Sequence, residues 1–323
     1  MSNVAPKWFE KAITNKPDVP SVKIKGTKIS YNAWGDKSKP CLIFIHGGMA
    51  HAEWWSFIAP YFAKTHRVIA MNLGGMGDSE WKKKYSVESW GAEIVGVCKK
   101  EKLKKPIFIG HSLGGMCGVY AASLMKKKLY GLVIVDTAIM PPTDNPPKFD
   151  LKVRANNVYK KMSDIIERFR LVPSQSDALE YAMNFIAEKS IKKVRGGWTW
   201  KFDPSYMNIF TSENFAERQA VLRKTLKGLK CRVAVFRGEK SSIFPGFSAK
   251  YMNELMDKKS PIINIPEAHH HIMVDQPLAL VSALRSLIID WDHSKPSKAL
   301  KTKYKSNITN LILTKKNTVK FDI

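Results

Sequence analysis

Six continuous apolar runs of strand length leave this chain few folds to choose from. They are Cys41 to Ile45, Val68 to Leu73, Ile107 to Gly110, Leu132 to Val135, Val233 to Phe236 and Ile262 to Ile265. A strand with one wet face alternates apolar and polar residues, whereas a run without alternation is buried on both faces, as in a parallel sheet covered by helices. Helical patterns lie between and after them: Trp54 to Lys64, Val87 to Lys102, Leu113 to Lys127, Phe247 to Met256 and Leu278 to Trp291. In the second of these, Trp90, Ile94 and Val97 recur at i, i+4 and i+7 and form one buried stripe. Two shorter alternating runs, Ser21 to Lys25 and Lys28 to Trp34, meet at Gly26-Thr27 and read as a hairpin. The expected class is α/β: a mostly parallel central sheet flanked by helices and built by right-handed crossovers.

The alternation breaks between residues 141 and 230. This stretch carries helical patterns at Val153 to Phe169 and Asp177 to Glu188 and an aromatic run from Gly196 to Phe202, and it reads as a helical cap inserted after the sixth strand. The expected division is 1–140 and 231–293 for the two parts of the core, 141–230 for the cap and 294–323 for a lysine-rich tail. A 44% hydrophobic content over 323 residues supports a core of that size despite a net charge of +25. The excess is lysine scattered along the chain. The one dense region is the tail, with eight lysines against Asp322. No aromatic-basic interleaving or nucleic-acid-binding motif accompanies the charge, so solvated lysine faces are expected rather than a nucleic-acid partner. The tail, with its apolar patch Leu311 to Leu313, is either a disordered appendage or a small extra element. No apolar stretch approaches the roughly 20 residues of a membrane-spanning helix, and the first twenty residues lack the apolar segment of a secretory signal. The four cysteines are far apart with no C-x-x-C pair, which suggests a reduced, cytoplasmic setting and neither a zinc site nor a disulfide framework.

Gly110-His111-Ser112-Leu113-Gly114-Gly115 stands directly after one apolar strand and before a helical run. Small residues two before and two after the serine permit a sharp strand-to-helix turn that lifts its hydroxyl above the sheet, which marks Ser112 as a nucleophile. His46-Gly47-Gly48 follows another strand, and an oxyanion hole needs two backbone donors; the N–H groups of Gly48 and Leu113 are the expected pair. After the last strand comes His269-His270-His271. Contiguous histidines diverge in direction, so no metal is expected there, and one of the three serves as the base for Ser112.

With these residues the chain resembles the α/β-hydrolase superfamily, in its cap-containing serine hydrolase subset, over roughly residues 20 to 292. The likeness runs through His46-Gly47-Gly48, the turn Gly74-Gly75-Met76-Gly77-Asp78-Ser79, the serine elbow and a His-x-x-x-x-acid-x-Pro signature. Counting back from Asp275 and Pro277, that signature selects His270 as the family's catalytic histidine. The family's third member is a carboxylate, usually in a Gly-Glu-x-Asp stretch; here the sequence reads Gly238-Glu239-Lys240-Ser241. The resemblance leaves Asp136, at the end of the sixth strand, as the first candidate acid, with Glu239 or another group as alternatives. A second departure is Asn72, where relatives usually carry Asp. Met49, Trp54, Trp55, Met140 and Trp198 are expected around an apolar pocket.

The resemblance implies a cofactor-free serine hydrolase acting on a small, moderately hydrophobic carboxylic ester, thioester or lactone. Carbon-carbon bond hydrolysis by the same triad is an alternative, and a non-catalytic small-molecule receptor of the same fold is another. Substrate identity and oligomeric state are not written in these patterns.

Overall fold

A computed structural model describes residues 4–143, 156–210, 215–256, 258 and 260–294. Among the described residues are ten strands: β1 (Ser21–Ile24), β2 (Thr27–Trp34), β3 (Cys41–Ile45), β4 (Arg67–Met71), β5 (Ile107–His111), β6 (Gly131–Val135), β7 (Ile191–Val194), β8 (Gly197–Trp200), β9 (Arg232–Gly238) and β10 (Ile262–Ile265). Eight of them form one sheet in the order β1-β2-β4-β3-β5-β6-β9-β10. The pairs β1/β2 and β2/β4 are antiparallel and the remaining pairs parallel. Every residue of β3, β4, β5 and β6 is buried, as unalternating apolar runs require. β1 and β2 pair in a register that leaves Lys25 and Gly26 as the two turn residues, both at positive φ (47° and 89°). The turn therefore lies one residue earlier than Gly26-Thr27, in a geometry suited to the right-handed twist of a hairpin.

Flanking helices close the core. The helix Val87–Lys100 begins in a capping box between Ser86 and Ser89, and its buried face carries Trp90, Ile94 and Val97. Trp90 also donates its indole N–H to the carbonyl of Gly74 at 2.9 Å. The helix expected over Trp54 to Lys64 is absent. Two 3₁₀ turns, Ala52–Trp55 and Ala59–Tyr61, stand in its place. Pro60 has no N–H to continue an α-helical ladder, and Trp55, Phe57, Ile58 and Ala59 are all buried, so the segment has no wet face to alternate with.

Between β6 and β9 the chain leaves the sheet. Its described part contains the helices Met162–Ile166, Glu180–Lys189 and Phe215–Lys227 and the antiparallel pair β7/β8. The inserted segment is thus of mixed structure rather than purely helical. Gly196 and Gly197 both take positive φ at the β7/β8 turn, and a Cβ at Gly197 would stand 2.0 Å from the Tyr159 carbonyl. The aromatic run forms β8, where alternating Trp and Thr suit a pleated strand rather than a helix. The pattern expected over Val153 to Phe169 shortens to Met162–Ile166, with residues 153–155 outside the described residues, as is the lysine-rich tail from 295 onward.

The chain divides into two compact units, Met1–Leu280 and Val281–Ile323. The first holds the sheet, the inserted segment and every site residue discussed below. Of the second, the described part is the remainder of the helix Pro277–His293 and Ser294. Among the described residues no helix is long and apolar enough to cross a membrane.

Candidate active site

Ser112 sits at the C-terminal end of β5, as the residue preceding the helix Leu113–Met125, with φ 52° and ψ −117°. A non-glycine residue held there stores roughly 1–3 kcal/mol of strain, and such strain persists only where the surroundings over-determine it. The surroundings here are tight. A Cβ at Gly110 would come within 2.3 Å of the Gly114 carbonyl, and one at Gly114 within 2.4 Å of the Ile45 carbonyl. The Ser112 N–H donates to Val135 (3.0 Å) while Thr137 donates its hydroxyl to the Ser112 carbonyl (2.9 Å). Both ends of the serine's peptide are therefore pinned to the strand next door and its exit loop.

His270 follows β10 and lies against the end of β6. Its Nδ1–H donates to Asp136 Oδ2 at 2.7 Å. Asp136 is fully buried, at positive φ (45°), and accepts two further bonds: the Gly238 N–H on Oδ1 (2.8 Å) and the Ser241 hydroxyl on Oδ2 (2.6 Å). Three donors converge on one carboxylate and fix its plane. They also fix the imidazole tautomer, because a carboxylate with no proton of its own can only accept from Nδ1, which leaves Nε2 as a free base. Glu239 does not share in this arrangement: it is exposed, and its carboxylate accepts the Glu267 N–H at 3.0 Å.

The three adjacent histidines have three different partners. His269 turns to Asp275 (3.3 Å), His270 to Asp136, and His271 to the Gln175 side-chain oxygen (2.8 Å). The acid of the signature, Asp275, accepts the His269 N–H at 2.6 Å and the Gln175 amide at 3.1 Å. It braces the histidine loop, and burial raises its carboxyl above the usual range. Among the described residues no group of three or more His, Cys, Asp or Glu side chains is placed to hold a metal ion.

Ser112, His270 and Asp136 line one cavity of about 360 Å³ together with Gly48, Leu113 and His111. The Leu113 N–H belongs to the first helical residue and has no partner within its helix. Gly48 is pressed against the Tyr206 hydroxyl, 2.7 Å from where a Cβ would stand. The loop carrying Gly48 is locked by His46, which donates Nδ1–H to the Gly47 carbonyl (2.7 Å) and accepts the Leu73 N–H on Nε2 (3.1 Å). Burial pushes His46 down to about 4, so the ring stays neutral in that role. Asn72 likewise binds backbone and side chain, accepting the Ala52 N–H and donating to the Ser30 hydroxyl.

Met49, Trp54 and Met140 line the same cavity, joined by Met116, Met207, Phe210 and Phe215. Trp55 and Trp198 are elsewhere. Trp55 is buried against Phe44 at 5.0 Å between ring centroids, and Trp198 lies on β8, bridged to Tyr159. Other polar groups of the site carry no periodic signal in the chain. His111 donates Nε2–H to the His270 carbonyl (2.9 Å), and Gln175 holds both the N–H and the ring of His271. Ser241 does carry a signal, since it stands where the resemblance expects the acid and instead donates to Asp136.

A family model described as alpha/beta hydrolase fold matches residues 40–277. An esterase of Mycobacterium tuberculosis is 22% identical over 293 residues, covering 86% of this chain and 92% of its own length. A 3-hydroxybutyrate-oligomer hydrolase of Cupriavidus necator is 25% identical over 238 residues, covering 67% of this chain and 78% of its own. Among solved structures, a thioesterase domain from the curacin biosynthetic pathway superposes with a TM-score of 0.70 at 21% identity, covering 83% of this chain and 99% of that one. E-2-(acetamidomethylene)succinate hydrolase does so at 0.70 and 17%, covering 84% and 99%. The solved structures speak to the fold. With its sheet order, its serine elbow and a family match spanning most of its length, the chain belongs to the α/β-hydrolase fold family.

Proposed function

We propose that this protein is a serine hydrolase that cleaves a small, moderately hydrophobic carboxylic ester, thioester or lactone through an acyl-enzyme on Ser112. The observation that carries the reading is the 2.7 Å bond from His270 Nδ1 to the buried Asp136 carboxylate, in the cavity that Ser112 also lines. A histidine held in this tautomer presents a free Nε2 toward substrate, which a merely structural histidine has no need to do. In the reaction, His270 Nε2 takes the Ser112 hydroxyl proton as Oγ attacks the carbonyl carbon, and the Gly48 and Leu113 N–H groups stabilise the oxyanion. Collapse expels the alcohol or thiol, which receives the proton from His270. Water, deprotonated by the same nitrogen, then releases the acid and restores Ser112. The inserted segment between β6 and β9 acts as the cap, supplying Met140, Met207, Phe210 and Phe215 to the apolar wall. The relatives named as an esterase and an ester-oligomer hydrolase support this substrate class. The four cysteines are unpaired, which supports a reducing, cytoplasmic location.

The test is turnover of p-nitrophenyl acyl esters of graded chain length, with covalent labelling by a fluorophosphonate, on wild type and Ser112→Ala. Wild type should turn over and label; the variant should melt at the same temperature and lose activity by several orders of magnitude. A variant as active as wild type would remove Ser112 from the mechanism. A wild type that neither labels nor turns over would favour the receptor reading.

A further inference from the structure

The cavity wall contains one charged side chain that the acyl-transfer reading does not use. Arg218, on the helix Phe215–Lys227 of the inserted segment, lines the cavity that holds Ser112. The other ionised group there, Asp136, is committed to His270, Gly238 and Ser241. Arg218 is half-buried, and burial lowers its pKa from the usual value, yet a guanidinium remains cationic at any physiological pH. Its Cζ stands over two rings of the same wall, 5.2 Å from the Phe210 centroid and 5.8 Å from that of Phe215. One nitrogen, Nη1, donates to the Ile209 carbonyl. Among the described residues no carboxylate pairs with it and its remaining N–H groups have no partner. Nor are those N–H groups sealed in the interior.

Arg218 also borders a neighbouring pocket of about 440 Å³, whose charges are Lys83, Lys84, Glu88 and Glu217. That pocket carries both signs and can neutralise itself. Among the described residues the Ser112 cavity has one carboxylate, Asp136, and it is already spent on a histidine. A cation that is half removed from water, set over aromatic rings and left without a counter-ion is costly unless a ligand supplies the opposite charge. The fork of a guanidinium matches a carboxylate through two parallel bonds.

We propose that Arg218 forms an anion subsite of the active-site cavity and that the ester hydrolysed at Ser112 carries a carboxylate. The inference rests on the hydrolase reading for its chemistry, and on Arg218 and its cavity for its substrate class. It narrows the substrate from neutral short-chain esters to monoesters of dicarboxylic acids or esters of hydroxy acids. In the first the charge lies on the acyl side; in the second it leaves with the alcohol.

Two isosteric pairs test this. Monomethyl glutarate against methyl 5-methylhexanoate places the charge on the acyl side, and carboxymethyl butyrate against isobutyl butyrate places it on the alcohol side. Wild type should favour the anionic member of one pair by about ten- to hundredfold in kcat/KM, the yield of a charge-assisted bond. The pair that shows the preference tells which side of the ester meets Arg218. The ratio should fall to about one in Arg218→Gln, invert in Arg218→Glu and persist in part in Arg218→Lys, which also guards against a glutamine variant that fails to fold. A binding arm needs no turnover: calorimetry of monomethyl glutarate and of carboxymethyl butyrate with Ser112→Ala should show affinity for one of them that Ser112→Ala/Arg218→Gln loses. No preference in either pair, or a preference that survives Arg218→Gln, overturns the subsite while leaving Ser112-dependent hydrolysis standing. Arg218-dependent binding in a wild type that hydrolyses and labels nothing overturns the hydrolase reading and keeps the subsite.

Discussion

Asp136→Asn separates a catalytic acid from a structural one. The wild-type carboxylate accepts three bonds in a fully buried place, from Gly238, Ser241 and His270. A carboxamide has one oxygen and one NH₂. If the oxygen keeps the Gly238 N–H, the NH₂ faces the Ser241 hydroxyl and His270 Nδ1. The Ser241 oxygen already receives the Ile243 and Phe244 N–H groups, so its proton loses its acceptor. The imidazole must then accept on Nδ1 and carry its proton on Nε2, which removes the base proposed for Ser112. If the amide flips, NH₂ meets the Gly238 N–H, donor against donor. Either orientation leaves at least one buried donor unsatisfied, which costs about 1–3 kcal/mol of stability. The catalytic loss is larger. A Ser-His-Asp enzyme altered in this way keeps its geometry but falls about 10⁴-fold in turnover, or roughly 5 kcal/mol of barrier. Glu239→Gln touches an exposed side chain whose only acceptor role is the Glu267 N–H, so its stability should stay within about 0.5 kcal/mol and its turnover near wild type. The assay is kcat at saturating p-nitrophenyl ester on both variants, with thermal unfolding on the same samples. A folded Asp136→Asn with a tenth or more of wild-type turnover, beside an inactive Glu239→Gln, would refute this reasoning.

Three further outcomes can be checked. Of the adjacent histidines only His270 reaches Asp136, so His270→Ala should approach the roughly 10⁶-fold loss of a missing triad member, whereas His271→Ala should keep about a tenth or more of kcat; the reverse order would shift the assignment by one residue. Gln175→Ala strips the His271 N–H and ring of their acceptor and Asp275 of a donor, and should lower stability by about 2 kcal/mol and kcat more than KM; unchanged melting and kinetics would show that this contact holds nothing. Burial lowers the folded-state pKa of His46, His51, His111 and His271 below the unfolded 6.5, so the unfolded chain binds more protons and stability must fall as pH drops from about 6.5 toward 4. With His46 at about 4, that residue alone contributes about 3 kcal/mol by the end of this window, and a melting temperature flat from pH 7 to 5 would contradict it.

What the chain declared in advance was whatever one physical constraint fixes locally. β3 coincides with its apolar run because burial on both faces leaves no polar residue to blur the ends. The strand-to-helix turn at Ser112 was legible because the glycines around it are steric necessities of that turn. The segment at Trp54 misled because its apolar spacing answers to burial on all sides, and Pro60 overrides the helical period. The aromatic run at Trp198 looked like pocket lining, but Trp and Thr alternate along β8, whose bridge to Tyr159 only the fold brings about. Gln175 and Arg218 were silent for a similar reason. Each gains its meaning from groups far along the chain, Gln175 from His271 and Asp275, Arg218 from the cavity of Ser112. No window of sequence holds both halves of such a contact.

The place of Asp136 follows from the sheet. β6 and β9 are parallel neighbours in register, Val135 beside Phe236, and β9 runs on only to Gly238, so the loop that leaves it passes by the end of β6. The Asp136 N–H donates to the Phe236 carbonyl at 2.7 Å, and the Asp136 side chain reaches across to Gly238 and Ser241. A carboxylate launched from the end of either strand therefore meets the same point in space, below the same ring nitrogen of His270. Two carboxylates at that point would repel and drive one of them to take up a proton. One carboxylate with a hydroxyl beside it avoids the repulsion, and the hydroxyl adds a donor that holds the charge in place. Ser241 is thus the complement of Asp136: its proton has the carboxylate as acceptor only while the acid stands on β6. The departure from Gly-Glu-x-Asp at Ser241 and the aspartate that ends β6 are two halves of one arrangement, and neither is interpretable without the other.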